Sequence, residues 1–344
     1  MDIFNIYLPI AGIEFNVLLL LLIGTTVGIC GGFFGIGGAW IVTPALNIFG
    51  FPMPYAIGTD LAHMGGKSIV STIRHGKFGN VDAKLAVSMI VGTTVGMELG
   101  AKLVLYLERI GMAETVIRKA YVIFLFLIGS YVLYDYISHV RQQKKIAISG
   151  VPAGPKRDTL AQKLNRINIP PMIHFKASGV RCSLWLPILV GFATGIVASI
   201  LGVGGGFIRM PALVYLIGCP TLVAVGTDLF EVMITGAYGA FTYGVKGRVD
   251  LLAAMWMLVG AAVGVQLGTI AVKYVRGYFI RLLFAITIFI ACSSVLLKQL
   301  ELQTPSSILI LTAGIAISTV ILTLLVKGVI REKAAIRSAK KPLL

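Results

Sequence analysis

Between Phe15 and Thr59 the chain runs for 45 consecutive positions without an aspartate, glutamate, lysine or arginine. Water solvates no stretch of that length so sparsely furnished with charge, so the segment belongs in lipid. The remainder agrees: of 344 residues 57% are apolar and 13% charged, with a mean hydropathy of +0.91, whereas soluble domains carry about a quarter charged residues. Apolar segments bounded by charge, Pro or Gly fall at about 15–49, 55–73, 84–106, 117–138, 184–217, 222–244, 251–274, 279–298 and 306–327. Most match a bilayer-length helix of ~20 residues. The expected fold class is an all-α polytopic membrane protein.

The chain also copies itself. Gly35-Ile36-Gly37-Gly38-Ala39, followed by Pro44-Ala45-Leu46, returns as Gly202-Val203-Gly204-Gly205-Gly206, followed by Pro211-Ala212-Leu213, at an offset of 167. At an offset of 168, Gly58-Thr59-Asp60-Leu61 matches Gly226-Thr227-Asp228-Leu229, and Val81-Asp82 matches Val249-Asp250. Gly92, Gly96 and Gly100 pair with Gly260, Gly264 and Gly268 in the same register. Self-similarity of this period divides the chain into a first membrane repeat (1–138), a basic connector (139–182), a second membrane repeat (183–299), and a C-terminal helix with a basic tail (300–344).

Charge gives the orientation. The net charge is +16, of which the connector segment His139–Arg181 supplies +8 and the tail from Lys327 supplies +5. Basic flanks of this kind face the cytoplasm and anionic lipid headgroups; no aromatic-interleaved basic helix accompanies them, so nucleic acid is not an expected partner. Both flanks lie on one side only if each glycine-rich segment dips into the bilayer and returns. As helices, Phe15–Cys30 rises roughly 24 Å and Ala39–Gly50 roughly 18 Å, each short of the ~30 Å hydrocarbon layer. Each repeat then holds a broken re-entrant hairpin and three crossings, the halves are inverted, and the N-terminus lies opposite the connector and tail. Broken helices in inverted repeats mark substrate sites in secondary carriers.

At the breaks, Gly35, Gly37, Gly38, Gly202, Gly204, Gly205 and Gly206 leave backbone N–H groups free to face a cavity where a half-helix begins, which favours an oxyanion. Close helix contact through small residues explains the same glycines without a site. Thr59 and Thr227 are candidate donors to the anion, and the Gly-Thr-Asp stretches also suit helix caps. Asp60, His63 and Lys67 share one helical face, and Asp228, Glu231 and Thr235 form the corresponding face of the second half. Ionisable groups at membrane depth are functional candidates: Lys67 for anion pairing, and Asp60, His63, Asp228 and Glu231 for proton or ion coupling. Asp60 with Lys67, or His63 with Glu231 across the repeats, can instead form structural ion pairs. Arg209 either grips an oxyanion bidentately or snorkels to the interface. Glu98 and Gln266 suggest an inward polar pair, and the loops 76–82 and 244–250 read as turns with caps.

The paired G-x-G-G-[GA]-x4-P-x-L blocks, each followed by A-x-G-T-D and G-x-V-D, resemble the TauE/SafE family of sulfite and organosulfur anion permeases over about residues 12–300. Ala39 stands where the second block has Gly206. The resemblance implies a multi-pass inner-membrane transporter of sulfite, sulfoacetate or a similar small anion. An anion channel or uniporter for another small anion, such as a carboxylate, is the alternative. No nucleophile–base pair, phosphate-binding loop or metal-ligand spacing occurs, so neither an enzyme nor a cofactor or metal is expected. Cys30, Cys182, Cys219 and Cys292 lack paired spacing, no removable signal peptide is read at the N-terminus, and a homo-oligomer is compatible with the sequence.

Overall fold

The computed structural model describes residues 4–34, 39–149, 169–202, 204–272, 274–275 and 277–339. Each half opens with a β-hairpin that the hydropathy pattern conceals. β1 (Asn5–Leu8) pairs with β2 (Ile13–Asn16), and β3 (Met172–Phe175) pairs with β4 (Val180–Ser183). Their turns place Gly12 and Gly179 at φ 68° and 67°, a region costly for any residue with a Cβ. These four-residue strands are too short to register as apolar alternation.

From β2 the chain enters α1 (Val17–Phe34) and continues through α2 (Ala39–Ile48), α3 (Met53–Lys77), α4 (Ala83–Arg109) and α5 (Ala113–Ser149). After the second hairpin come α6 (Trp185–Leu201), α7 (Gly206–Ala212) running into a π-helical turn (Leu213–Ile217), α8 (Thr221–Gly244), α9 (Leu251–Val272), α10 (Gly277–Gln299) and α11 (Gln303–Ala339). Pro52 and Pro220 set the starts of α3 and α8, because proline fixes φ and needs no amide partner at a helix entrance. The Gly-Thr-Asp stretches therefore lie inside these helices and do not cap them, contrary to the capping reading.

Among the described residues seven helices are long and apolar enough to cross a membrane: Val17–Phe34, Ala83–Arg109, Ala113–Ser138, Thr221–Gly244, Leu251–Val272, Phe279–Gln299 and Gln303–Lys333. The protein is an all-α polytopic membrane protein. With 18 residues, α1 is longer than the sequence suggested, roughly 27 Å. Glycines 31 and 32 remain helical because α1 lies flush against α9; a Cβ on Gly32 would sit 3.0 Å from the Thr269 nitrogen. The chain that leaves along α1 comes back along α2, since the rings of Phe15 and Phe51 meet edge to face at 5.3 Å. In the second half Val190 of α6 belongs to the same buried cluster as Leu213 and Ile217.

The main helix contacts run between the halves: α1 lies against α9, α4 against α6, and α3 against α8. All three depend on absent side chains. A Cβ on Gly92 would stand 2.8 Å from the Phe192 nitrogen, and one on Gly260 would stand 2.8 Å from the Thr25 nitrogen. These two collisions are the same collision moved by 168 and 167 residues. Contacts advance together along α1 and α9, from Gly24 with Met257 to Gly28 with Ala261, so these helices run parallel. Contacts of α3 with α8 regress, from Gly58 with Tyr243 to Gly65 with Gly236, so that pair is antiparallel.

Reciprocal hydrogen bonds stitch the ends. Asp82, at the start of α4, accepts from Leu85 N through Oδ1 (3.2 Å) and from Ser178 N and Oγ of the second hairpin through Oδ2 (2.9 and 3.0 Å). Asp250 does the same at α9, accepting from Ala253 N (3.1 Å) and from Ile10 and Ala11 N of the first hairpin (3.3 and 3.4 Å). The loops are thus turns with capping carboxylates. Glu98 and Gln266 correct the inward-pair reading: Glu98 reaches Lys102 and Lys246 at 3.8 and 3.9 Å, and Gln266 is exposed. Both side chains point away from the glycine face that meets the neighbouring helix.

Gly92→Ala and Gly260→Ala should each destabilise the protein by ~1–3 kcal/mol through overpacking, by similar amounts, in thermal unfolding of detergent-purified protein. Gly76→Ala, whose added Cβ would meet nothing within 4 Å, should be neutral or mildly stabilising.

Candidate functional site

The second glycine break fixes the site. Gly202 closes α6 at φ 71°, its N–H bonded to Ala198 O at 2.7 Å; Gly204 and Gly205 follow at φ 64° and 76°. Three left-handed residues in four positions turn the chain through a space that no Cβ can share. One on Gly202 would lie 2.5 Å from Thr43 Oγ1 and 3.1 Å from the Ile57 Cα, and one on Gly205 would lie 2.5 Å from Arg209 Nη2. The break therefore sits between α2 and α3 of the first half and the side chain of Arg209. Gly202, Gly204, Gly205 and Gly206 are all buried. The corresponding Gly35, Gly37 and Gly38 lie outside the described residues.

Among the described residues Arg209 is the largest fully buried side chain. Its Nη1 donates to Asp228 Oδ1 at 3.0 Å, its Nη2 donates to Gly204 O at 3.2 Å, and its Nε pairs with Glu231 Oε2. The other oxygen of Glu231 accepts from the Thr93 hydroxyl of α4. Arg209 consequently neither snorkels nor stands free for an anion; two carboxylates of α8 hold it. One guanidinium against two carboxylates leaves the cluster one negative charge in excess when both are ionised, which at this depth calls for a proton or a positive counter-charge.

On the other side of the break, Asp60 and His63 of α3 are fully buried and Lys67 is 8% exposed. Thr43 donates its N–H and hydroxyl to Asp60 Oδ2 at 3.2 and 2.9 Å. His63 Nδ1 stands 3.6 Å from Asp60 Oδ1, and neither ring nitrogen of His63 makes a hydrogen bond. Lys67, on the same face of α3, lies within electrostatic reach of Asp60. Two unlike polar clusters thus flank one glycine turn, Thr43-Asp60-His63-Lys67 from the first half, and Glu231, Arg209 and Asp228 of the second half joined by Thr93 of the first.

Thr59 and Thr227 go elsewhere. Each hydroxyl accepts from a backbone amide across the halves, Thr59 from Asp250 N and Thr227 from Asp82 N, both at 3.0 Å. They anchor helix to loop at opposite ends of the α3/α8 pair. Three polar groups at the site carried no signal in the sequence: Thr43, Thr93 and Tyr121, whose hydroxyl donates to Leu201 O just before the break. Two carbonyls here are spoken for, Leu201 O by Tyr121 and Gly204 O by Arg209. Among the described residues no group of three or more metal-ligating side chains occurs.

A family model described as sulfite exporter TauE/SafE matches residues 20–295. A probable membrane transporter protein, YunE of Bacillus subtilis, is 25% identical over 258 residues, covering 73% of this chain and 86% of its own. The probable membrane transporter protein MJ0441 of Methanocaldococcus jannaschii is 26% identical, over 67% of this chain and 75% of its own. A probable membrane transporter protein of Xylella fastidiosa is 27% identical, over 72% and 80%. No solved structure matches.

Arg209→Met should destabilise strongly, by ~3–5 kcal/mol, because it strands two buried carboxylates. The triple substitution Arg209→Met, Asp228→Asn, Glu231→Gln should recover most of that loss in the same thermal unfolding assay. Equal melting of single and triple variants would show that the three groups do not act as a unit.

Proposed function

This chain belongs to the sulfite exporter TauE/SafE family, and from that premise we propose a secondary transporter that carries a small sulfur-containing anion, such as sulfite or sulfoacetate, across the inner membrane by alternating access. The observation that carries this reading is Arg209, buried against the glycine break and held by two carboxylates. A sulfonate or sulfite oxygen has the geometry to replace a carboxylate on the guanidinium. The displaced carboxyl, losing its counter-charge, takes up a proton, so anion and proton travel together. Backbone N–H groups at Gly204 and Gly205, with their sequence counterparts Gly37 and Gly38, supply the remaining contacts. Lys67 and His63, flanked by Asp60, serve the first half in the same way.

The antiparallel contact of α3 with α8 supports the inverted arrangement, since these helices occupy corresponding places in the two halves. The return of the chain from α1 along α2, and the buried cluster that α6 shares with the π turn, support two re-entrant hairpins. Positive charge then puts the connector and tail in the cytoplasm beside anionic headgroups, and the first hairpin on the opposite face.

Reconstituted in liposomes, the protein should take up one or more of sulfite, thiosulfate, sulfoacetate, sulfate and small carboxylates with saturation. Gly205→Ala, which drives a methyl group into the Arg209 guanidinium, should lower the rate at least ~10-fold. Glu231→Gln should abolish drive by a pH gradient while leaving anion exchange intact. Non-saturating flux indifferent to Glu231→Gln would instead identify a channel. Thiols introduced by Asn80→Cys and Arg248→Cys should react from opposite faces of the membrane; reaction from one face would refute inversion.

A further inference from the structure

A cavity of about 580 Å³ opens among α5, α7 with its π turn, and α10. Its inner wall touches both breaks in sequence. Phe34 is the residue before Gly35, and Ile208 and Met210 flank Arg209. Helices α5 and α10 run antiparallel here, with Cys292 against Val122 and Phe289 against Phe126 further along. At the end of the cavity toward the connector, Arg281 of α10 donates to Asp135 of α5 at 2.8 Å, with both side chains part-exposed. Tyr131 and Tyr215 face each other edge to face at 6.1 Å between that pair and the interior. The remaining lining is largely apolar, and Arg281 and Asp135 are the only charged groups among the described lining residues.

Resting on the carrier reading above, we propose that this cavity is the water-filled vestibule on the connector face, and that Arg281 is the positioning residue that recruits the anion into it. Apolar walls around one guanidinium focus its field into the opening, which concentrates anions and repels cations. A part-exposed ion pair is a weak tether. An incoming oxyanion can therefore take Arg281 from Asp135 with little loss, pass the two tyrosines, and reach the backbone beside Arg209. Asp135 sets the strength of the lure by competing for the same guanidinium.

The test reads water access and potential without needing transport. The four native cysteines are buried, so the unmodified chain is the blank. In membrane vesicles exposing the connector face, Val214→Cys and Met210→Cys should react with thiosulfonate reagents, the anionic sulfonatoethyl form gaining relative to the cationic trimethylammonium form. Adding Arg281→Gln should cut the anionic-to-cationic rate ratio at least ~5-fold, and adding Asp135→Asn should raise it. In liposomes Arg281→Gln should raise KM several-fold with little change in maximal rate. Inert thiols at both positions in folded protein would mean that lipid or nothing fills the cavity, and an unchanged ratio would mean that Arg281 recruits no anion. Either result overturns the proposal. Shifted ratios in a protein that carries no sulfur anion would uphold the vestibule and remove only the carrier reading.

Discussion

Bare backbone meeting bare backbone is the contact on which this molecule depends. Between α1 and α9, and again between α4 and α6, glycines replace side chains so completely that a single methyl group would collide with main-chain atoms. In lipid there is little hydrophobic gain from bringing helices together, so close van der Waals approach supplies the attraction. Because each of these contacts joins one half to the other, neither half contains its own principal interface. The antiparallel α3/α8 pair lies between them, and its polar faces are thereby sealed from lipid.

That seal makes the polar clusters tolerable. A lysine, an arginine, a histidine and three acidic residues on α3, α7 and α8 would be prohibitive against acyl chains. Here Thr43 and Thr93 satisfy one carboxylate in each half, and Arg209 satisfies two on the second side. The halves share a scaffold yet differ chemically: His63 stands where the other half has Glu231, and Lys67 where it has Thr235. The frame is pseudo-symmetric and its contents are not.

Much of this was legible in the linear chain. The uncharged run, the doubled glycine blocks and the offset of 168 announce a duplicated helical membrane protein, and Asp60, His63, Asp228, Glu231 and Arg209 stand out as costly residues at depth. What escaped is instructive. The two hairpins are four-residue strands stabilised by Asp82 and Asp250 from the opposite half, a contact at a separation no local pattern encodes. Thr59 and Thr227 each accept a backbone amide of the opposite half, a contact that spans 191 and 145 residues and that no local spacing encodes. Arg209, Asp228 and Glu231 were each visible while their pairing was not, since contact across nineteen and more residues needs the folded chain.

The reciprocal glycine contacts also bear on how the protein is made. Helix α1 emerges from the ribosome more than two hundred residues before Met257 and Ala261, the groups that its Gly24 and Gly28 are shaped to meet. Until then its grooved side has only lipid or the insertion machinery for company. Assembly is thus deferred to the last third of translation, when α9 threads into a place left vacant by everything synthesised before it.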